Sequence, residues 1–414
     1  MKKTILLIQV VFFFLSFTNA YSQSGWIGQN SGTTNSLFGV SFTDVNNGTS
    51  VGDYGTILRT TNGGITWTSH SSVTTNPLYS VSFTDANNGT VVGFSGTILR
   101  TTNGGTNWTS QISGTTNSLY GVSLTGAIYG TAVGDYGTIL RTTNEGTNWT
   151  LQSSGTTQTL SGVFFTDANN GTAVGGSGTI LRTTNGGTDW TLQSSGITFW
   201  LEGVSFTDAN NGTAVGEGGT ILRTTNGGTN WTLQSSGTTN WFNGVNITDA
   251  NNGTVVGFGG TILRTTNGGT NWTLQISGTT QWLACVSFIN TNYGSAVGWS
   301  GTILRTTNGG VSFVKQISSE IPVRFSLYQN YPNPFNPTTN IKFNIKEALD
   351  VKITIYNILG KEITTLINKK LNAGTYEVDW NATMGDGSNY QSGVYFYKLT
   401  TTEYSDVKKM VLIK

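Results

Sequence analysis

The side chains with the most chemical promise in this sequence are arginines. Arg59, Arg100, Arg141, Arg182, Arg223, Arg264 and Arg305 recur every 41 residues. A ring of guanidinium groups could grip carboxylates or phosphates through paired N–H donors. Four acids at otherwise variable positions, Asp53, Asp135, Glu202 and Glu217, could supply the carboxylate pair that glycoside hydrolysis needs, although nothing in their spacing singles out one pair. His70 is the only histidine and Cys285 the only cysteine. No zinc cluster is therefore expected, and a Ser-His-Asp triad would have to use His70, which sits in no supporting motif. Cys285 stands where other copies have Gly or Ser and reads as small buried filler. With one cysteine, no internal disulfide can form.

Each arginine lies in the same phrase, G-T-I-L-R-T-T-N, in seven copies without an insertion or deletion. A ligand site seldom needs seven identical groups, whereas a repeated scaffold does. The arginines therefore read as structural, bonded to backbone carbonyls between units, because a buried unpaired donor costs ~1–3 kcal/mol or more. Asp44, Asp85, Asp167, Asp208 and Asp249 look like partners, yet the matching residues in copies three and seven are Gly126 and Asn290 while Arg141 and Arg305 persist. Gly and Asn replace Asp well in a turn and badly in an ion pair. These aspartates read as turn residues.

The elements that must position such groups are strands. Short β-branched or aromatic runs alternate with Asn, Gly and Asp turns, and four strands fall out per copy. In copy five they are roughly Leu201–Thr207, Thr213–Val215, Thr220–Thr225 and Trp231–Gln234. A turn-rich period near 40 predicts an all-β fold, a seven-bladed β-propeller over residues 25–317. Trp67, Trp108, Trp149, Trp190, Trp231 and Trp272 keep the period, with Phe313 next and Trp26 one period ahead. The fourth strand thus has eight copies against seven of the others. The preferred closure uses Trp26–Asn30 to complete the last blade; the alternative uses Phe313–Ile317.

The stretch T-T-N-G-G-I-T-W at residues 60–67 resembles the Asp-box of bacterial neuraminidase (BNR) repeats, with Thr for Ser and Asn for Asp. With the preceding V-G-x-x-G-T-I-L-R-T, the unit is similar to propellers of the photosystem II assembly and stability factor type. That resemblance implies the fold and a structural hairpin between third and fourth strands, away from any catalytic mouth. A sialidase-like enzyme would need three converging arginines, and every propeller Arg occupies one third-strand register.

Variation between copies collects in the loops that join the second to the third strand and the fourth to the next first strand. After V-G these bring Tyr54, Tyr136, Glu217, Phe258 and Trp299; ahead of the first strand they bring Phe38, Tyr79, Tyr120, Phe199, Trp200, Glu202, Trp241, Phe242 and Trp282. Aromatic planes stack on sugars or partner side chains, so Trp200, Trp241, Trp282, Trp299, Phe199, Phe242, Phe258, Glu202, Glu217, Tyr54 and Tyr136 form the candidate ligand-binding set. The competing reading is that the aromatics plug the central channel.

At the start, Lys2-Lys3, the apolar run Ile5–Phe17 and Thr18-Asn19-Ala20 read as a signal peptide over residues 1–20. Between Gly25 and Val314 the seven arginines are the only Lys or Arg residues, against eleven acids. Nucleic-acid binding needs a basic face and is not expected, nor is a transmembrane segment, a cofactor or a metal. After a linker at 318–330, residues 331–414 read as a small immunoglobulin-like β-sandwich. The features Y-P-N-P-F-N-P, I-Y-N-I-L-G, A-G-T-Y-E-V-D-W, S-G-V-Y-F-Y and K-K-M-V-L-I-K resemble the type A C-terminal sorting domain of type IX secretion, known from Bacteroidetes. That resemblance implies handling by the secretion machinery and release, or attachment at the outer-membrane surface. The reading is a monomeric, non-enzymatic binding or adhesion propeller for a glycan or surface protein. Its alternatives are a glycoside hydrolase or sialidase-like enzyme, and an envelope assembly factor.

Overall fold

The computed structural model describes residues 25–126, 128–310, 314–382 and 390–413. The signal-peptide reading at 1–20 and the Phe313 position lie outside the described residues. Each of the first six 41-residue units folds into a four-stranded antiparallel blade, and the seventh supplies three strands of the last one. In blade five the strands are Leu201–Phe206, Gly212–Gly216, Ile221–Thr224 and Thr232–Gln234, hydrogen-bonded in that order. Seven such sheets are present.

Burial explains the strand chemistry. The second strand is buried along its whole length in every blade but the third, where only its first residue, Tyr129, is half-buried, and Ile and Leu of the third strand are both sealed from water. Cores form between blades: Val51 and Ile57 of blade one pack with Leu78, Val81, Val91, Leu99 and Trp108 of blade two. The same pairing joins Val297 and Ile303 of blade seven to Leu37, Val40, Leu58 and Trp67 of blade one. Each such side chain contributes roughly 1.5–3 kcal/mol by leaving water, and the ring lets every blade use both faces.

The ring is closed by the N-terminal segment. Ile27–Gln29 pairs antiparallel with Ile303–Arg305 and completes blade seven. Trp26 takes the place of the periodic tryptophans, its ring edge-on to Phe288 at 5.7 Å, as Trp67 meets Phe42 and Trp231 meets Phe206. With that edge filled, the surplus fourth strand goes elsewhere. Val314–Ser318, which spans the boundary between the propeller at 25–317 and the linker at 318–330, pairs with Thr375–Val378 of the C-terminal unit. The boundary drawn at Ile317 therefore falls inside a strand.

The C-terminal unit holds two four-stranded antiparallel sheets. One runs 314–318, 374–381, 338–345 and 326–327; the other runs 362–371, 349–357, 393–400 and 405–412. Their buried residues, Ile341, Phe343, Ile353, Tyr397 and Met410 among them, form one cluster. Phe335 of the proline-rich motif is buried, and it exchanges backbone hydrogen bonds with Val411 and Ile413.

One repeat breaks a backbone rule. Before the first strand, six copies place a glycine in the left-handed region: Gly32, Gly114, Gly155, Gly196, Gly237 and Gly278, with φ between +70° and +73°. Copy two has Val73 there at φ +59°, and its side chain is 65% exposed. The left-handed conformation costs an L-residue ~1–2 kcal/mol, while glycine loses roughly 0.5–1 kcal/mol of chain entropy. Val73→Gly should stabilise the propeller by about 0.5–1 kcal/mol, read as a higher urea midpoint at unchanged m. A midpoint equal to or below that of the parent would refute the strain.

Candidate functional site

The two ends of the propeller differ in kind. At one end lie the first-to-second and third-to-fourth strand turns, which are nearly constant. Asp44 Oδ1 accepts from the backbone N–H of Asn46 and Asn47 at 2.8 and 2.9 Å, and Asn290 Oδ1 does the same work in copy seven. These hydrogen bonds hold the aspartate carboxyls low: the Asn211 side-chain amide and backbone donors bring Asp208 to about 2. In the other hairpin Asn62 Oδ1 accepts from Thr66 N–H, and Thr60 Oγ1 accepts from Gly64 N–H.

The arginines lie between blades at this end. Arg59 donates to Thr49 Oγ1 in its own blade and to the Ala86 carbonyl of the next. Arg141, Arg182 and Arg264 repeat the pattern on Ala168, Ala209 and Thr291, and Arg305 reaches the Gly63 carbonyl of blade one. Arg223 donates to Thr213 Oγ1. Arg100 alone among the described residues of the propeller forms an ion pair, with Glu145 at 2.9 Å. The aspartates reach the arginines indirectly, through the asparagine three residues on: Asp44 Oδ2 accepts from Asn47 Nδ2, and Asn47 Oδ1 accepts from Arg59.

The opposite end pairs a constant frame with variable residues. Each second-to-third strand turn is a tight left-handed one; at Gly55, φ +69°, a Cβ would lie 2.0 Å from the Thr74 carbonyl of the neighbouring blade. Asn35, Asn76, Asn117 and Asn240 brace it by donating to Thr56, Thr97, Thr138 and Thr261. On this frame Trp282 stacks on Trp299 at 5.0 Å, with Phe258 at 5.6 Å and Trp241 at 6.2 Å. Trp200 donates through Nε1 to Ser161 Oγ at 2.7 Å, and Trp282 Nε1 donates to Asn243 Oδ1. Trp200, Phe258 and Trp299 are exposed, and Phe199 is exposed beside Gly218.

Other members of the candidate set fall elsewhere. Phe242 has no exposed surface: it occupies the register of Leu201 and Leu283 and belongs to the core between blades five and six. It is a packing residue and leaves the set. Tyr54 and Tyr136 sit exposed at the turns of blades one and three, and make no ring contact with the tryptophan patch among the described residues.

Beside the patch opens an axial cavity of about 520 Å³. The second residue of each first strand lines it: Phe38, Tyr79, Tyr120, Ser161, Glu202, Asn243 and Ala284 in ring order. Phe38, Tyr79 and Tyr120 thus belong to the strands rather than preceding them. Ser161, Asn243 and Ala284 escaped the sequence reading; aligning that one column across copies would have found them, since it varies inside the otherwise repetitive L-x-G-V-S-F. Cys285 also lines the cavity and is only partly buried, with Sγ 3.9 Å from the Val40 carbonyl of blade one.

Among the described acids, Glu202 is the one pushed strongly upward. Burial lifts its carboxyl from 4.5 to about 7; Ser161 and Trp241 beside it pull the other way, and nearby Glu217 adds to the rise. A carboxyl raised on folding holds its proton in the native state between about 4.5 and 7, where the unfolded chain has lost it. Stability from this group is therefore greatest below pH 4.5, falls through that window and is flat above it. Glu202→Gln should stabilise the protein by about 3 kcal/mol at pH 8 and hardly at all at pH 4.5. Chemical denaturation of both proteins at the two pH values checks this, and an equal effect at both would refute the burial argument.

Among the described residues no group of three His, Cys, Asp or Glu side chains could hold a metal ion, and no helix is long and apolar enough to cross a membrane.

An arginine-sealed end, a variable end around an axial cavity and a separate C-terminal β unit define the class: a seven-bladed β-propeller with an appended β domain. The chain belongs to the photosynthesis system II assembly factor YCF48 family, whose model matches residues 18–159 and 150–280. Residues 329–414 match the secretion system C-terminal sorting domain, which marks the chain for export. Among solved structures it is similar to YCF48 bound to D1 peptide, at 24% identity over 69% of this chain and 98% of that one, TM-score 0.60. YCF48 from Cyanidioschyzon merolae gives 22% identity, coverage of 68% and 98%, and TM-score 0.59. The GH74 xyloglucanase of Xanthomonas campestris gives 10% identity, coverage of 78% and 60%, and TM-score 0.54. At these identities the likenesses show the fold alone. No curated protein sequence matches the chain.

Proposed function

We propose that this chain is a non-enzymatic binding propeller, exported through type IX secretion to the cell surface or beyond, that holds a partner protein with its variable end. The signal peptide at 1–20 starts that route, and the two-sheet C-terminal unit is an immunoglobulin-type sorting domain that ends it. The observation that carries the reading is the division of labour between the two ends. Residues that repeat seal one end, while the most divergent ones, Trp200, Glu202, Trp282 and Trp299, converge at the other beside a cavity. A YCF48 propeller has been solved with a D1 peptide bound, so a polypeptide ligand suits the fold, and tryptophans are the side chains that most often dominate such contacts.

The test uses the full chain and a triple Trp200, Trp282, Trp299→Ala variant, each immobilised and offered envelope extract of the producing cell and a glycan array. The parent should retain a specific protein partner, and the variant should lose at least ten-fold in affinity with an unchanged circular dichroism spectrum. Retention by the variant would refute the assignment of the face. Turnover of chromogenic glycosides by the parent would refute the non-enzymatic reading.

A further inference from the structure

The axial cavity has a chemistry that the tryptophan patch does not share. Phe38, Tyr79 and Tyr120 form a continuous aromatic wall across blades one to three, with neighbouring ring centroids 5.7 and 5.1 Å apart. From blade five the Glu202 carboxyl faces the same space, and Asp135 stands at its edge, held by Tyr120 Oη and Thr159 Oγ1. Asp53 is close enough to Tyr79 to act on it electrostatically, as Glu217 is to Glu202. No Lys, Arg or His lines the cavity. The propeller's seven arginines share the third-strand register that bonds to the turns of the opposite end, and the Lys and Arg residues that follow them begin at Lys315.

Glu202 makes no ion pair among the described residues. Aromatic faces attract cations through their quadrupole, more strongly where water is excluded. A carboxyl already desolvated opposite three such rings lacks only a positive charge, and none of the described residues lining the cavity supplies one. From this we infer that the axial cavity receives a cationic side chain, the ammonium of a lysine or the guanidinium of an arginine, presented by the partner protein. The inference rests on the binding reading above and specifies which residue of the partner enters the axis. The aromatic wall takes the face of the cation and the methylene stem, Glu202 takes the charge, and Asn243 and Ser161 flank it.

Calorimetric titration of the full chain at pH 8 and low salt tests this with acetyl-Gly-Gly-Lys-Gly-Gly-amide, its arginine counterpart, its norleucine counterpart and n-butylammonium. The lysine or arginine peptide should bind at least ten-fold more tightly than the norleucine peptide. Glu202→Gln should erase that preference, and Tyr79→Leu should weaken binding several-fold. Equal binding of the norleucine peptide, or no binding of either cationic peptide, would overturn the inference. Butylammonium binding as tightly as the peptides would overturn the protein partner as the source of the cation. Capture of the envelope partner by the Glu202→Gln protein is measured alongside. If the cationic peptides fail while Trp-dependent capture persists, the cation site falls and the binding function stands; if capture by the parent is also absent, the binding function falls as well.

Discussion

Trp26→Ala should lower the stability of the propeller by about 3–5 kcal/mol, the usual range for removing a large buried aromatic. The side chain is 6% exposed and packs among Val256, Ile262, Leu283, Val286, Phe288, Ala296 and Leu304, residues of blades six and seven. Its indole N–H donates to Gln275 Oε1 at 2.8 Å, and Gln275 Nε2 in turn donates to the Gly309 carbonyl. One residue thus joins the N-terminal segment, the outer strand of blade six and the last hairpin turn. Truncation removes the packing and leaves part of the Gln275 amide unpaired, which adds a desolvation penalty.

The position in the chain makes the effect more than local. In blades one to six the fourth strand follows the third through a short hairpin, so a weakened Trp still leaves the strand tethered. Ile27–Gln29 has no such tether to blade seven; its partner strand lies at the other end of the propeller in sequence. Loop closure over that length carries a large entropic cost, and Trp26 is the main anchor against it. The substitution should therefore strip hydrogen-exchange protection from Ile303–Arg305, a local opening of the kind that precedes global unfolding. Trp231→Ala should cost a similar amount without selectively exposing its own third strand, Ile221–Thr224. Stability within 1 kcal/mol of the parent, or retained protection at Ile303–Arg305, would show that the ring is held shut by something other than this residue.

The period, the blade order and the ring closure are all legible in the sequence because each is a local pattern read seven times. Strand ends are less so. In blade five Gly212 and Gly216 lie inside the second strand although glycine usually marks a turn. Contact explains both: a Cβ at Gly216 would lie 1.9 Å from the Trp200 carbonyl, and one at Gly212 would strike the Phe206 ring. Phe242 was misplaced for the complementary reason. An aromatic beside a variable loop looks like display, and only its register with Leu201 and Leu283 reveals packing. The axial column was the hardest to see. Phe38, Tyr79, Tyr120 and Glu202 are one period or more apart, and only the closed ring brings them onto one cavity. The fate of Val314–Ser318 was equally hidden, because the repeat specifies a strand without specifying its partner.

Arg141→Ala should cost about 3–4 kcal/mol, whereas Arg100→Ala, the same substitution one blade earlier, should cost no more than about 1 kcal/mol. Arg141 is 4% exposed. It donates to Thr131 Oγ1 at 2.9 Å and to the Ala168 carbonyl at 2.8 Å, and hydrogen bonds from a charged donor contribute roughly 1.5–3 kcal/mol each before non-additivity. Its guanidinium also lies 5.2 Å from the Tyr129 ring and 4.8 Å from Phe165, a further ~0.5–2 kcal/mol. Copy three shows why the arginine tolerates loss of the turn aspartate. Where Asp44 and Asn47 stand in copy one, copy three has Gly126 and Tyr129, so an aromatic face replaces the asparagine oxygen beneath the guanidinium. Arg100 faces that same altered turn from the other side and is paired with Glu145, whose side chain is 53% exposed. An ion pair so open to water contributes ~0–1 kcal/mol. Arg141→Met, which keeps most of the stem and removes the donors, should fall between the two. Denaturant titration of the three variants separates the cases. Equal losses at Arg100 and Arg141 would mean that the arginines act through packing alone, and that the carbonyl bonds between blades contribute little to holding the ring together.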